Sequence, residues 1–369
     1  MNKTKFIVSA AFCSLLGTSA LRADIKVGVI LPTTGSEETC GIDMLHTVQL
    51  AADEINAKGG VFGQKFVLES VDDACDPQTA VAAASKLVSL NVDSVVGGYC
   101  SGATLPTLKI YGDAGIPFMI STANSPKFLD VDMGTAFQMN AAGIFQVDTA
   151  MALFNKLGVK RVAVIHQGDG YSEGVATLTK EKWTAQGKEL AAFEMVTKGE
   201  PDMSSLVTRI RSRNADMVFW TAYFADGALL IKQLRQGGYT GKIVVGDGCM
   251  DEHLITIGGK ATEGVYCLSN PTPEFVPGGK QFAEKYKAKF GVEPGPYSAL
   301  TYDSFMLLAD AYKRAGTKDK KAVLKALAAT KNFHGMTGDL TYGDKHYRNA
   351  SNYVLLEVKN QKWALSKTL

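Results

Sequence analysis

The 369-residue sequence lacks the loops that hold nucleotides. No Gly-x-Gly-x-x-Gly follows its first apolar run, since Gly28 to Gly35 includes Pro32 and has the wrong spacing. No glycine-rich loop ends in Gly-Lys-Ser or Gly-Lys-Thr. Histidine is scarce: His46, His166, His253, His334 and His346 stand singly, with no two at zinc-ligand spacing. In Gly98-Tyr99-Cys100-Ser101-Gly102 the serine comes one place too late for a nucleophile elbow. Asp72-Asp73 resembles a calcium-loop fragment but lacks the remaining ligands, which leaves turn chemistry. After the first two dozen residues no apolar run approaches the roughly 20 needed to span a bilayer. Charge of one sign is missing too. With 39 bases against 37 acids, the chain has no broad basic field for nucleic acid or anionic lipid. Together these absences speak against an enzyme, a cofactor, a resident metal and a nucleic-acid partner.

What is present begins with an export signal over residues 1–23. Lys3 and Lys5 precede an apolar stretch, Phe6 to Leu16, and small residues follow, with cleavage expected after Ala20 or Ala23. Cys13 lies inside the apolar stretch behind bulky Phe12, a poor context for a lipid anchor. Removing the signal takes three bases and no acids, so the net charge of +2 becomes −1. The remaining length exceeds what one core usually supports, so two lobes are expected. In an oxidising compartment the five remaining cysteines leave one odd thiol. Cys75–Cys100 is the strongest pair, Cys249–Cys267 a weaker one, and Cys40 the odd thiol. The competing reading makes all five small buried hydrophobes.

Short apolar runs alternate with amphipathic segments. Ile25–Leu31 reads as a strand covered on both faces. Over 42–57, Leu45, Val48, Ala52 and Ile55 recur at helical spacing until Gly59-Gly60. Strands are expected at 66–71, 92–96 and 116–120, with helices at 80–90 and from about Thr104, ahead of Pro106. The rhythm restarts after Gly143: helix 145–157, strand 161–165, and helix 172–186 capped by Ser172. Strands 190–196, 217–220 and 242–245 and helices 203–213 and 225–236 follow. This is the pattern of two doubly wound α/β units, each a parallel sheet covered by helices. Helices 280–290, 297–315 and 320–330 and strands 340–342 and 353–358 close the chain. Cys75 and Cys100 end two strand-like runs, and Ser101 opens a helix. Such a turn presents unpaired N–H groups to an anion. His166 ends a strand, where a hydrogen-bonded structural role suits it best.

Four stretches carry a family resemblance: Asp24-Ile25-Lys26-Val27-Gly28-Val29, Asp53 to Gly60, Asp72-Asp73-Ala74-Cys75-Asp76-Pro77 and Pro294-Gly295-Pro296-Tyr297. Through them essentially the whole mature chain resembles the leucine/isoleucine/valine-binding proteins, periplasmic receptors of ABC-type importers. The resemblance implies two α/β lobes joined by a three-crossover hinge, a type I-like periplasmic binding protein fold. The division would be 24–142 plus 271–349 for lobe 1 and 143–270 plus 350–369 for lobe 2. It implies a Cys75–Cys100 disulfide, a periplasmic monomer, a small amino-acid ligand and a permease in the inner membrane. It places the ligand carboxylate on Ser101, on the Thr122 backbone and on Asn124, where the family commonly has threonine. Tyr171 and Tyr223 would face the ligand from lobe 2, and Asp247 would replace the family's ammonium-binding glutamate. Cys40 stands where a pocket tyrosine is common, which reshapes the side-chain region.

A zwitterion needs anion donors on one side and an acid on the other, and Ser101 and Asp247 meet that need. Plainer readings compete: Asp247 between two glycines as a turn former, Tyr171 as loop packing, Ser101 as a helix cap. Other expectations of function are the same scaffold with another ligand (another amino acid, a short amide, a urea-like or aromatic acid), a doubly wound hydrolase, and a cytosolic sensor.

Overall fold

The computed structural model describes residues 23–348 and 350–369, so the export signal expected over residues 1–23 lies, but for its last residue, outside the described residues. The first sheet is all parallel, in the order β2 (Phe66–Asp72), β1 (Ile25–Leu31), β3 (Ser94–Gly97), β4 (Phe118–Ile120), β5 (Ala136–Gln138). Every residue of β1 except Lys26 is buried, because helices cover both faces. Those helices include α1 (Glu38–Ala57), α2 (Pro77–Ser89), α3 (Ser101–Thr104) and α4 (Thr107–Asp113). In α1, Met44, Val48, Ala51, Ala52 and Ile55 form the buried stripe, and Gly59 and Gly60 end it with φ of +94° and +75°. Where one helix was expected around Pro106, two short ones form. Pro106, which has no N–H to donate, stands immediately before α4.

The chain then crosses over through residues 139–142. The second sheet holds β6 (Arg161–His166), β7 (Glu189–Met195), β8 (Met217–Trp220), β9 (Lys242–Val245) and β10 (Tyr266–Ser269) in parallel. Around it lie α5 (Gly143–Lys156), α6 (Ser172–Ala185), α7 (Ser204–Ser212), α8 (Phe224–Gln236) and α9 (Glu252–Gly258). Ser172 is not the cap of α6. Its hydroxyl donates to Asp169, whose Oδ1 instead accepts the N–H groups of Tyr171 at 2.9 Å and Ser172 at 3.2 Å.

Leaving β10, the chain crosses back. α10 (Gly279–Phe290) and α11 (Ser298–Ala315) pack against α1, and α12 (Lys320–Ala328) packs on α11. A small hairpin, β11 (Phe333–Gly335) and β12 (Gly338–Leu340), precedes the third crossing. The last strands, β13 (Val354–Lys359) and β14 (Lys362–Leu365), join the edge of the second sheet antiparallel to β10 and to each other. The second sheet is therefore mixed, not wholly parallel as expected. Asn360 and Gln361, with φ of +53° and +59°, form the left-handed turn that a two-residue hairpin needs. Two α/β lobes joined by three crossings result.

Cys75 and Cys100 form a disulfide 25 residues apart in sequence. Cys249 and Cys267 do not pair. Each thiol is buried and donates to a carbonyl, Ala222 at 3.3 Å and Gly246 at 3.5 Å. Cys40 is also a free, buried thiol.

Candidate functional site

The loops at the carboxyl ends of both sheets face each other between the lobes. After β3, Gly97 and Gly98 take φ of +133° and +73°. A Cβ on Gly97 would sit 2.1 Å from the Ile30 carbonyl, so only glycine allows this turn. The turn carries Tyr99, Cys100 and Ser101, and the disulfide fastens it to the β2–α2 loop. That loop is itself built by acids. Asp72 accepts the N–H groups of Thr33 and Ala74 at 2.8 and 2.9 Å, and Asp73 accepts that of Cys75 at 2.9 Å. This confirms the turn reading of Asp72-Asp73.

A small cavity is lined by Tyr99, Thr122, Asn124, Tyr171, Tyr223, Asp247, Gly248 and Tyr297. Five of the seven expected ligand-binding residues thus meet in one place. Ser101 and Cys40 stand behind the wall. Ser101 Oγ accepts the backbone N–H groups of Asn124 and Ser125 at 3.2 and 3.1 Å, which fixes the loop after β4. Cys40 Sγ lies 3.5 Å from Asp251 Oδ2. The backbone groups of Thr122 are engaged within the protein: its N–H donates to Gly98, and its carbonyl accepts from Asn140 Nδ2 at 2.9 Å.

Asp247 is the most heavily bonded group at the site. Its Oδ1 accepts from Tyr171 Oη at 2.5 Å and Gln146 Nε2 at 2.9 Å. Its Oδ2 accepts from Asn124 Nδ2 at 2.6 Å, Asn270 Nδ2 at 2.9 Å and Tyr353 Oη at 3.3 Å. Burial pushes this carboxyl above the ordinary aspartate range, and the donors pull it back. The Asn124 bond spans the lobes and ties them inside the cavity. A turn former alone would not gather five side-chain donors.

Four tyrosine rings form the rest of the wall. Tyr99 meets Tyr297 edge-on at 5.0 Å between centroids, and Tyr223 lies 5.7 Å from Tyr171 and 6.1 Å from Tyr99. Tyr297 Oη donates to the Asp247 carbonyl at 2.6 Å, and Tyr99 Oη donates to Glu37 at 3.2 Å. Asp43 on α1 positions Tyr297, accepting from Gly295 N–H at 2.7 Å and Ser298 Oγ at 2.6 Å on either side of it. Glu37 is 1% exposed, and burial pushes it up to about 7 against the field of Lys198 and hydrogen bonds from Ser36 and Tyr99.

Sequence reading missed Tyr99, Gly248, Tyr297, Gln146, Asn270 and Tyr353. Tyr99, Gly248 and Tyr297 lay within stretches already singled out; the other three carried no local signal. His166 is structural, its Nδ1 accepting from Gly168 N–H at 3.1 Å and its ring packed on Phe193.

Outside the cavity the lobes meet again. Ser125 Oγ donates to the Gly170 carbonyl, and Lys127 pairs with Glu173 at 2.6 Å. Gly170 and Gly102 approach so closely that a Cβ on Gly170 would lie 3.1 Å from Gly102 Cα.

Residues 24–362 match the family model described as periplasmic binding protein. The chain belongs to the periplasmic binding protein family. Among its relatives, an "Amino acid binding protein" of Pseudomonas aeruginosa is 32% identical over 361 residues, 96% of this chain and 95% of that one. A "Leu/Ile/Val-binding protein homolog 1" of Brucella suis is 30% identical over 357 residues, 96% of each. A leucine-binding protein of Thermotoga maritima superposes with a TM-score of 0.85 at 29% identity, covering 93% of this chain and 97% of that one. The periplasmic binding protein fold explains why the cavity lies between two sheets at their carboxyl ends. All three of these relatives are binding proteins.

Proposed function

We propose that this chain is the periplasmic substrate-binding component of an ABC importer. It captures a small α-amino acid, most simply leucine, isoleucine or valine, between its lobes and presents it to an inner-membrane permease. Lobe 1 would comprise 24–142 plus 271–349 and lobe 2 143–270 plus 350–369, in a monomer exported by its N-terminal signal.

The observation that carries this reading is Asp247, a buried acid on lobe 2 at the wall of an interlobe cavity lined by no base. A ligand ammonium supplies the missing positive charge. On lobe 1, Ser101 Oγ accepts the N–H groups of Asn124 and Ser125 and so fixes the loop that would present Asn124 to a ligand carboxylate. The names of the relatives support the ligand class.

A thermal-shift screen tests it. Ligand at about 100 times Kd contributes about 2.7 kcal/mol to the folded state. One or more of leucine, isoleucine and valine should raise the melting temperature. The lining is aromatic rather than aliphatic, which favours one second reading: an aromatic acid on the same scaffold. A shift with benzoate and none with the three amino acids would establish that reading and refute the first.

A further inference from the structure

Asp247 brings charge to the cavity but little free capacity for hydrogen bonds. A carboxylate offers about four lone-pair positions, and five side-chain donors already converge on this one, at 2.5 to 3.3 Å. Two further acceptors at the wall are engaged as well. The Asp247 carbonyl accepts from Tyr297 Oη at 2.6 Å and the Thr122 carbonyl from Asn140 Nδ2 at 2.9 Å. Each N–H of a primary ammonium would have to displace a donor here or go unpaired in a buried site. What the wall offers freely is aromatic surface. Tyr99, Tyr171, Tyr223 and Tyr297 are all buried, with neighbouring centroids 5.0 to 6.1 Å apart. Three of their hydroxyls donate within the protein, to Glu37, to Asp247 Oδ1 and to the Asp247 carbonyl. We infer that the cavity takes fully N-methylated small amino acids, betaines, whose trimethylammonium head sits among these rings and against Asp247 without a hydrogen bond. This deepens the reading of Asp247 as the ammonium partner and rests on it.

A quaternary ammonium has charge and no N–H, so it leaves all five donors of Asp247 in place. Its methyl groups pack on apolar surface, while its charge meets the carboxylate and the negative faces of the rings. A cation within about 6 Å of a ring centroid is attracted by that ring, and the close spacing lets one head reach several of them. Each such contact is worth between about twofold and about thirtyfold in affinity. The lining holds no base to oppose the charge. Glycine betaine is no bulkier than leucine, so the methylated head asks for no larger ligand.

The test is calorimetry at neutral pH on the full exported chain with matched ligands. Leucine, isoleucine and valine are each titrated beside their N-trimethyl derivatives. Glycine betaine is titrated beside tert-butylacetic acid, which has the same shape and an uncharged head. Trimethylation is expected to hold or raise affinity, whereas a site that bonds the N–H groups would lose at least about a hundredfold. Glycine betaine should bind at least about a hundredfold more tightly than tert-butylacetic acid. Tyr223→Leu should weaken glycine betaine about tenfold and Tyr223→Phe less than about threefold, because the ring holds the head. Should Tyr223→Leu melt far below the parent, the matched ligands on the parent chain decide the matter. Three results overturn this inference alone: amino acids that bind while their trimethyl derivatives do not, equal affinity for glycine betaine and tert-butylacetic acid, or equal losses in Tyr223→Leu and Tyr223→Phe. If neither the amino acids nor the betaines bind, the reading of the site falls and the inference with it.

Discussion

Asp247 is costly to bury and is held by five side-chain donors, Asn124 from across the cleft and Gln146, Tyr171, Asn270 and Tyr353 from its own lobe. Its replacement by asparagine keeps the shape and removes the charge. An ammonium left without its partner in a buried site loses about 3–5 kcal/mol, so amino-acid affinity should fall more than about a hundredfold by calorimetry. A loss below tenfold would show that the carboxylate does not face the ammonium. Glu37 makes a second prediction, on pH. Its ordinary value is 4.5 and burial holds it near 7 in the folded chain. The folded state therefore binds this proton more tightly than the unfolded one. The resulting stability is complete below about pH 4.5, is lost as pH rises toward 7, and changes no further above that. Asp43 and Asp73, both pushed up by burial to about 6, act in the same direction over a narrower range. Chemical denaturation should thus show stability falling from pH 5 to 7.5, and Glu37→Gln should flatten that slope. An unchanged slope in the variant would contradict the burial of Glu37 as a protonated acid.

Among elements, the turn from β3 into α3 governs lobe 1's part of the site, and the disulfide holds it. Closing 25 residues contributes about 3.5 kcal/mol through the unfolded chain. Replacing both Cys75 and Cys100 by serine should lower the unfolding free energy by that amount and weaken binding, because Ser101 loses its fixed position. Unchanged denaturation would show that the turn holds without the bond. Across the cleft, the approach of Gly170 to Gly102 leaves no room for a branched side chain. Gly170→Val should prop the lobes apart, weaken binding at least about tenfold and leave the unliganded melting temperature nearly unchanged. Binding equal to the parent would mean the two glycines need not meet. The same elements show what a linear reading can find. Ile25–Leu31 and Met217–Trp220 were legible to the residue, because burial on both faces leaves a continuous apolar run. The strand Ala136–Gln138, three residues long, is too short to show any period. Ser172 has the chemistry of a cap, but α6 begins at Ser172 itself, and Asp169 three residues earlier accepts the N–H groups of Tyr171 and Ser172. Gln146, Tyr353 and Asn124 lie 101, 106 and 123 residues from Asp247, so only the fold reveals that they converge.

On the scale of the whole molecule, two sheets present their carboxyl ends to one cavity, and three crossings join them. The resemblance named five residues that line the cavity, while the rest of the aromatic wall and the further donors to Asp247 emerged from the packing. Family membership and relatives named for amino acids agree with an acid on one lobe and hydroxyl and amide donors on the other. The most direct measurement is a crystal structure of the exported protein with leucine or whatever small molecule copurifies. The predicted density places an ammonium against Asp247 and a carboxylate beside Ser101 and Asn124, with the rings of Tyr99, Tyr171, Tyr223 and Tyr297 around it. A ligand bound elsewhere, or one whose charged ends touch neither Asp247 nor the Ser101–Asn124 loop, would contradict the account.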